Sequence, residues 1–260
     1  MGNSLASDLP LDIVAKVSLP GGPTRFDHES LDMQTGHLFI SHMGADQVVV
    51  FDVLSRKVIA NLDGFPGTTG ITVVPKRRRV YVTVRKPWVQ ISSDKSETAI
   101  MRRYSESTAA ERQQQPGFGE GGIVVVDAES LDTLAHIPVG RFPDGSVPVT
   151  EPERLYVSNE MSGTLSVIDI DQGKVINTLQ LGGEAGMSSY DPIKRSIWVS
   201  IQSTNTLVAI DTTSDKFVTR VKIPKTCAQN HGLLVDAVNR LAFAYFAQCD
   251  WLFRSIVTAV

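Results

Sequence analysis

The sequence predicts an all-β chain, a β-propeller of four-stranded antiparallel blades, and three observations carry that prediction. Four apolar runs end in aspartate: VVVFD (48–52), IVVVD (123–127), LSVID (165–169) and LVAID (207–211). Asp127, Asp169 and Asp211 are 42 residues apart, and the 75 residues from Asp52 to Asp127 equal one such period plus a 33-residue insertion. Each period divides into short runs rich in Val, Ile, Tyr and Thr, separated by Asp, Gly, Pro and Asn, the chemistry of strands and turns. A period of about 40 residues with four strands reads as one blade. No unit sustains an apolar spacing of 3.6, which excludes a helical solenoid.

Composition narrows the function classes. Of 260 residues 42% are hydrophobic and 20% charged, with a net charge of −3. Apolar residues suffice for a core, and their spread along the chain together with moderate charge speaks against a disordered chain. No apolar stretch reaches the ~20 residues of a membrane-spanning helix. A slightly acidic balance gives no general pull toward nucleic acid, and two cysteines cannot build a disulfide scaffold.

Along the chain, residues 1–11 read as a disordered leader. They show no basic and then apolar export signal, and Ala6 stands where a myristoylation signal needs Ser or Thr. IVAKVSL (13–19) matches the fourth-strand run VINTLQL (175–181), so it is expected to act as a strand completing the last blade. Unit three parses most cleanly, into strands at Ser146–Val149, Arg154–Ser158, Thr164–Ile168 and Lys174–Leu179. The aspartate closing each third strand is expected to cap a turn. The insertion at 86–120 separates a second from a third strand, hence lies on the funnel face. Its Asp94 and Glu97 resemble a capping box and Ile100 pairs with Tyr104, predicting a short helix over 94–113. A fifth unit begins with HGLLVDA (231–237) and RLAFAYF (240–246), so blades extend over 12–249 and 250–260 is an off-pattern tail. Residues 251–258 would serve as a third strand if the ring closed with five blades.

The runs FDHESLDMQTGHLFISH, RFPDGS, RLYVSNEMSGTLSVIDIDQGKVINTLQLGGEAG and NHGLLVDAVNRLAFAYFAQC resemble the YncE-like, YVTN-repeat β-propeller family over roughly residues 12–249, insertion apart. The resemblance implies a seven-bladed, often exported (periplasmic or secreted) protein, mostly without an assigned reaction. Seven units would need more than 260 residues, so it also implies a truncated member. A chain with an open ring would expose strand edges and self-associate.

Loops entering first strands and joining second to third strands open on the funnel face, where ligand sites of closed repeats concentrate. That face receives Asp27, His28, His42, Arg85, Asp144, Asn159, Glu160, Glu184, Gln202, Asn230, His231 and Gln248, but not His37 or His136. A small ligand or protein partner is expected to contact Asp27, His28, His42, Asn159, Glu160, Asn230 and His231. No cofactor is predicted, yet imidazole and carboxylate at His28, Glu160 and His231 suit a divalent metal. Against this stands a purely structural reading, in which polar rim residues satisfy strand ends and water. No HExxH and no G-x-S-x-G occurs, so no catalytic residue is assigned. Cys227 and Cys249 fall at one end of a blade; a disulfide needs α-carbons ~4.4–6.8 Å apart and an oxidising compartment.

The function read from the sequence is a binding or scaffold module with no assigned reaction. One alternative is a metal-dependent hydrolase or lactonase using the funnel face. Another is nucleic-acid binding through Lys76, Arg77, Arg78 and Arg79, weighed against a solvated turn because no aromatic run accompanies them.

Overall fold

The computed structural model describes residues 12–85, 120–223, 230–246 and 255–256. The leader 1–11, most of the insertion with its expected helix, Cys227, Gln248 and Cys249 lie outside the described residues. Blade 1 comprises β1 (Glu29–Asp32), β2 (His37–His42), β3 (Gln47–Asp52) and β4 (Lys57–Asp63). Blade 2 comprises β5 (Ile71–Val74), β6 (Arg79–Arg85), β7 (Glu120–Asp127) and β8 (Thr133–Arg141). Blade 3 holds β9 (Pro143–Thr150), β10 (Glu153–Asn159), β11 (Thr164–Asp169) and β12 (Lys174–Gln180). Blade 4 holds β13 (Ala185–Asp191), β14 (Ser196–Ile201), β15 (Thr206–Asp211) and β16 (Lys216–Lys222). A fifth sheet has β17 (Asn230–Asp236), β18 (Leu241–Phe246) and the two-residue β19 (Ser255–Ile256). Every pairing is between neighbouring antiparallel strands, and the first strands abut in turn, β1 on β5, β5 on β9, β9 on β13 and β13 on β17.

The turns follow from local chemistry. Oδ1 of Asp52 accepts from the amides of Leu54 and Ser55, and Oδ1 of Asp127, Asp169 and Asp211 does the same for their own turns. Four residues after each aspartate the backbone turns left-handed, at Arg56, Leu131, Gly173 and Asp215. The expected aspartate-capped turn is therefore what ends each third strand.

Blade-to-blade packing repeats as regularly. Phe39, Tyr81, Tyr156 and Trp198 occupy one register position on their second strands, opposite Ser30, Thr72, Val147 and Ser189. Each is buried in the apolar cluster toward the next blade. A large buried side chain contributes about 1.5–3 kcal/mol, more than one hydrogen bond, so these clusters hold the blades together. Hydroxyls then fix the register. Ser41 Oγ lies 3.2 Å from Thr68 Oγ1, Thr83 Oγ1 3.3 Å from the Asp144 carbonyl, Ser158 Oγ 2.6 Å from Ser188 Oγ, and Ser200 Oγ 2.7 Å from the His231 carbonyl. Each joins a second strand to the first strand of the next blade or, at Thr68, to the loop that leads into it.

Closure differs from expectation. Residues 13–18 are exposed and 13–19 belong to no strand; among the described residues the last blade offers them only the two-residue β19 as an edge. In the tail, Ser255 and Ile256 pair with Phe243 and Ala242, a third strand of two residues only. Among the described residues no apolar cluster joins blade 5 to blade 1, and Leu234 of β17 is 61% exposed where blades 1 and 2 place buried or half-buried Ser30 and Thr72.

Candidate functional site

Two residues before the partner of Ile40, Val82, Val157, Val199 and Ala244, five first strands present equivalent positions: Asp27, Thr69, Asp144, Gly186 and His231. These positions lie at or just before the first strands, the strands through which successive blades abut. Three of the five carry titratable groups. Gly186 leaves the space between its neighbours open, since a Cβ there would come 2.7 Å from the His231 carbonyl. Nε2 of His231 thereby reaches 3.1 Å from Oδ2 of Asp144, two blades away.

The polar groups around this pair are positioned by backbone. The amide of Asp27 donates to the Ser41 carbonyl and that of His28 to Thr69, which holds the segment before β1 across blades 1 and 2. Nε2 of His28 sits 3.5 Å from Oδ1 of Asp27. The amide of Glu160 donates to Phe142, and that of Gln202 to Glu184. Nδ1 of His231 lies 3.0 Å from Oε1 of Gln202, whose Nε2 donates to Oε1 of Glu160. Glu160, Gln202, His231 and Asp144 thus form one connected run across blades 3, 4 and 5. The guanidinium of Arg85 is buried 3.8 Å over the Phe142 ring.

Electrostatics divides these groups. Burial raises the Glu160 carboxyl to about 7, against the lowering effects of His231 and Gln202. Burial also raises Asp27, and the Asp144 charge adds to it. Asp144 itself is held low: burial alone would raise it, but contact with His231 and the charges of His28 and Arg85 win. The same contact lifts His231 above the ordinary histidine range although burial opposes the charge. Asp144 and His231 are therefore a charged pair, while Glu160 carries a proton near neutrality.

Of the sequence-predicted residues, Asp27, His28, Glu160 and His231 belong to this group. His42 does not meet it; its ring stacks on Phe26 at 3.9 Å and Nε2 lies 2.7 Å from Thr24 Oγ1. Asn159 and Asn230 serve the sheets instead. Asn159 Nδ2 donates to Thr164 and Ser166, and Asn230 Nδ2 lies 3.5 Å from the Thr206 carbonyl. The expected metal trio is also regrouped. Glu160 meets His231 only through Gln202, whereas Asp27, His28 and Asp144 bring three ligand atoms within 4.8 Å of one another. Asp144, Arg85 and Gln202 belong to the expected face but not to the expected ligand contacts; the register equivalence of Asp144 with His231 is the sequence signal that marks it.

The basic turn is neutralised by neighbouring carboxylates. Arg77 pairs with Glu153 and Asp171, Arg78 with Glu129 and Asp127, and Arg79 with Asp127 at 3.0 Å. No helix among the described residues is long and apolar enough to cross a membrane.

Sheets and site together define a β-propeller of four-stranded blades with a charged, inward-facing cluster, a fold compatible with a binding or scaffold module. Among solved structures the chain is similar to the hydrazine synthase of Kuenenia stuttgartiensis, a protein containing a β-propeller, with a TM-score of 0.66 and 16% identity over 89% of this chain and 57% of that one. The chain thus spans little more than half of that protein's length, and the likeness is one of fold. Compared with protein-family models and with curated proteins, the sequence matches none.

Proposed function

We propose that the chain is a YncE-like propeller that acts as a binding module, taking a small ligand on the funnel face. The observation carrying this reading is the convergence of Asp27, Asp144, Glu160, Gln202 and His231, from four blades, on one partly buried cluster. Isolated rim residues would need no such network. Four carboxyl groups (Asp27, Asp144, Glu160, Glu184) face Arg25, Arg85, His28 and His231, and a cluster that already pairs its charges internally favours a ligand rich in amino or hydroxyl hydrogen-bond donors over a multiply charged phosphate. Thermal-shift measurements with small amines, sugars and carboxylates test it. Amines or sugars should raise the melting temperature of the wild type and not of the Gln202→Leu variant. Equal response of both proteins, or preference for carboxylates, would sink the reading.

A second reading, a metal-dependent hydrolase or lactonase on the same face, draws on Glu160, a buried carboxyl that keeps its proton to about pH 7 and could act as a general acid. Ester or lactone turnover abolished by chelator and by Glu160→Gln is its expected signature; turnover indifferent to both rejects it.

A further inference from the structure

We infer that Asp27, His28 and Asp144 form the binding site of a single divalent first-row transition-metal ion. This deepens the funnel-face reading and rests on it, while assigning ligands that differ from the trio expected from the sequence. One ligand atom from each of the three residues lies within 4.8 Å of the other two. Oδ1 of Asp27 and Nε2 of His28 are 3.5 Å apart, close to the edge of about 3.4 Å in a tetrahedral site with ~2.1 Å bonds. Two of the ligands therefore need almost no movement, and Asp144 needs a small one.

Burial points to the same place. Asp144 is 4% exposed, and its Oδ2, 3.1 Å from His231 Nε2, has no well-aligned hydrogen bond beyond that charge partner. A carboxylate kept charged out of solvent is paired or coordinates a metal, and the His231 pair engages only one of its two oxygens. The frame is stiff: Asp144 lies within β9, and Asp27 and His28 are tied by backbone bonds to Ser41 and Thr69. Side chains of His28 and Asp27 keep 24% and 15% of their exposure, which leaves an approach from solvent and an open coordination position. One imidazole with two carboxylates suits Mn²⁺, Co²⁺ or Zn²⁺, whereas Ca²⁺ asks for six to eight oxygens. His231, anchored by Gln202, lies behind Asp144 and orients it as a positioning residue.

Titration of the full chain with Co²⁺, followed by visible absorption and by displacement with Zn²⁺, tests the site. One Co²⁺ per chain is expected, with the strong bands of low coordination number. His28→Gln and Asp144→Asn should each weaken binding at least tenfold, and His136→Gln, on the exposed face of β8, should leave it unchanged. If Asp144→Asn fails to fold by circular dichroism, His28→Gln, at a partly exposed side chain, still decides. No saturable binding by folded wild type, or binding untouched by His28→Gln, overturns the inference. Should that happen while amines or sugars still shift the wild type and not Gln202→Leu, the metal site alone falls; loss of both responses removes the funnel-face reading too.

Discussion

His231 and Asp144 occupy the same register position on first strands two blades apart, and their side chains meet at 3.1 Å past Gly186, the glycine that holds that position in between. One contact thereby ties blade 3 to blade 5 across blade 4. Removing His231 leaves the buried Asp144 carboxylate without its hydrogen-bonding partner, although the charges of His28 and Arg85 remain. With the His231 side chain 35% exposed, His231→Ala is expected to lower unfolding free energy by about 1–3 kcal/mol. The double variant His231→Ala/Asp144→Asn should cost less than the sum of the singles, measured by urea denaturation. Additive losses would show that the two residues do not act as a pair.

Stability should fall as pH rises from 5 to 9. Glu160 keeps its proton in the folded chain up to about 7 while the unfolded chain loses it near 4.5, so stability is lost across that window. His231, raised to about 9, adds a loss between its unfolded value of 6.5 and about 9. Asp144, held low at about 2, acts in the opposite sense, and its contribution is lost only on acidification below 3.8. Melting temperatures across this range check the sign; Glu160→Gln should flatten the part between 4.5 and 7. A melting temperature rising toward pH 9 would contradict the assignment.

The hydroxyls between blades make a separate prediction. Ser158→Ala strands the buried Ser188 hydroxyl 2.6 Å away and is expected to cost about 1–2 kcal/mol. Replacing both serines by alanine should cost less than twice that, because no orphaned group remains. Chemical denaturation of the three variants provides the comparison.

Two glycines separate backbone strain from crowding. Gly163 and Gly173 share a φ of 61°, yet a Cβ at Gly173 meets nothing within 4 Å while one at Gly163 comes 2.7 Å from the Gly183 carbonyl. Gly173→Ala should cost about 1 kcal/mol from the left-handed backbone alone. Gly163→Ala should cost clearly more. Equal losses would mean that the Gly183 loop yields freely.

At the basic turn, each arginine faces an acidic partner, and such exposed, solvent-screened pairs contribute little. Arg79→Ala, at the half-buried member of the turn, is expected to change stability by no more than about 1 kcal/mol. Filter binding to duplex DNA at low salt should reveal no affinity that disappears with Arg77, Arg78 and Arg79 replaced; an affinity lost in that triple variant would restore the nucleic-acid alternative.

What the sequence determined by itself was local and periodic. The strands of blade 3 match those read from alternation and turn residues to within three residues at either end, because Asp169 ends β11 through bonds to its own next residues. The same logic put Asp27, His28, Glu160 and His231 on the funnel face, since loop position in a hairpin repeat follows from strand order alone. It failed where a segment looked like a strand but pairs with no sheet, as at 13–19, where the last blade offers only the two-residue β19 among the described residues. It also could not foresee that Glu160 meets His231 only through Gln202, or that Asp144 and not Glu160 stands beside His28. Those meetings depend on how far each blade turns relative to the last. That angle is set by the packing of Phe39, Tyr81, Tyr156 and Trp198 between sheets, and no run of neighbouring residues encodes it.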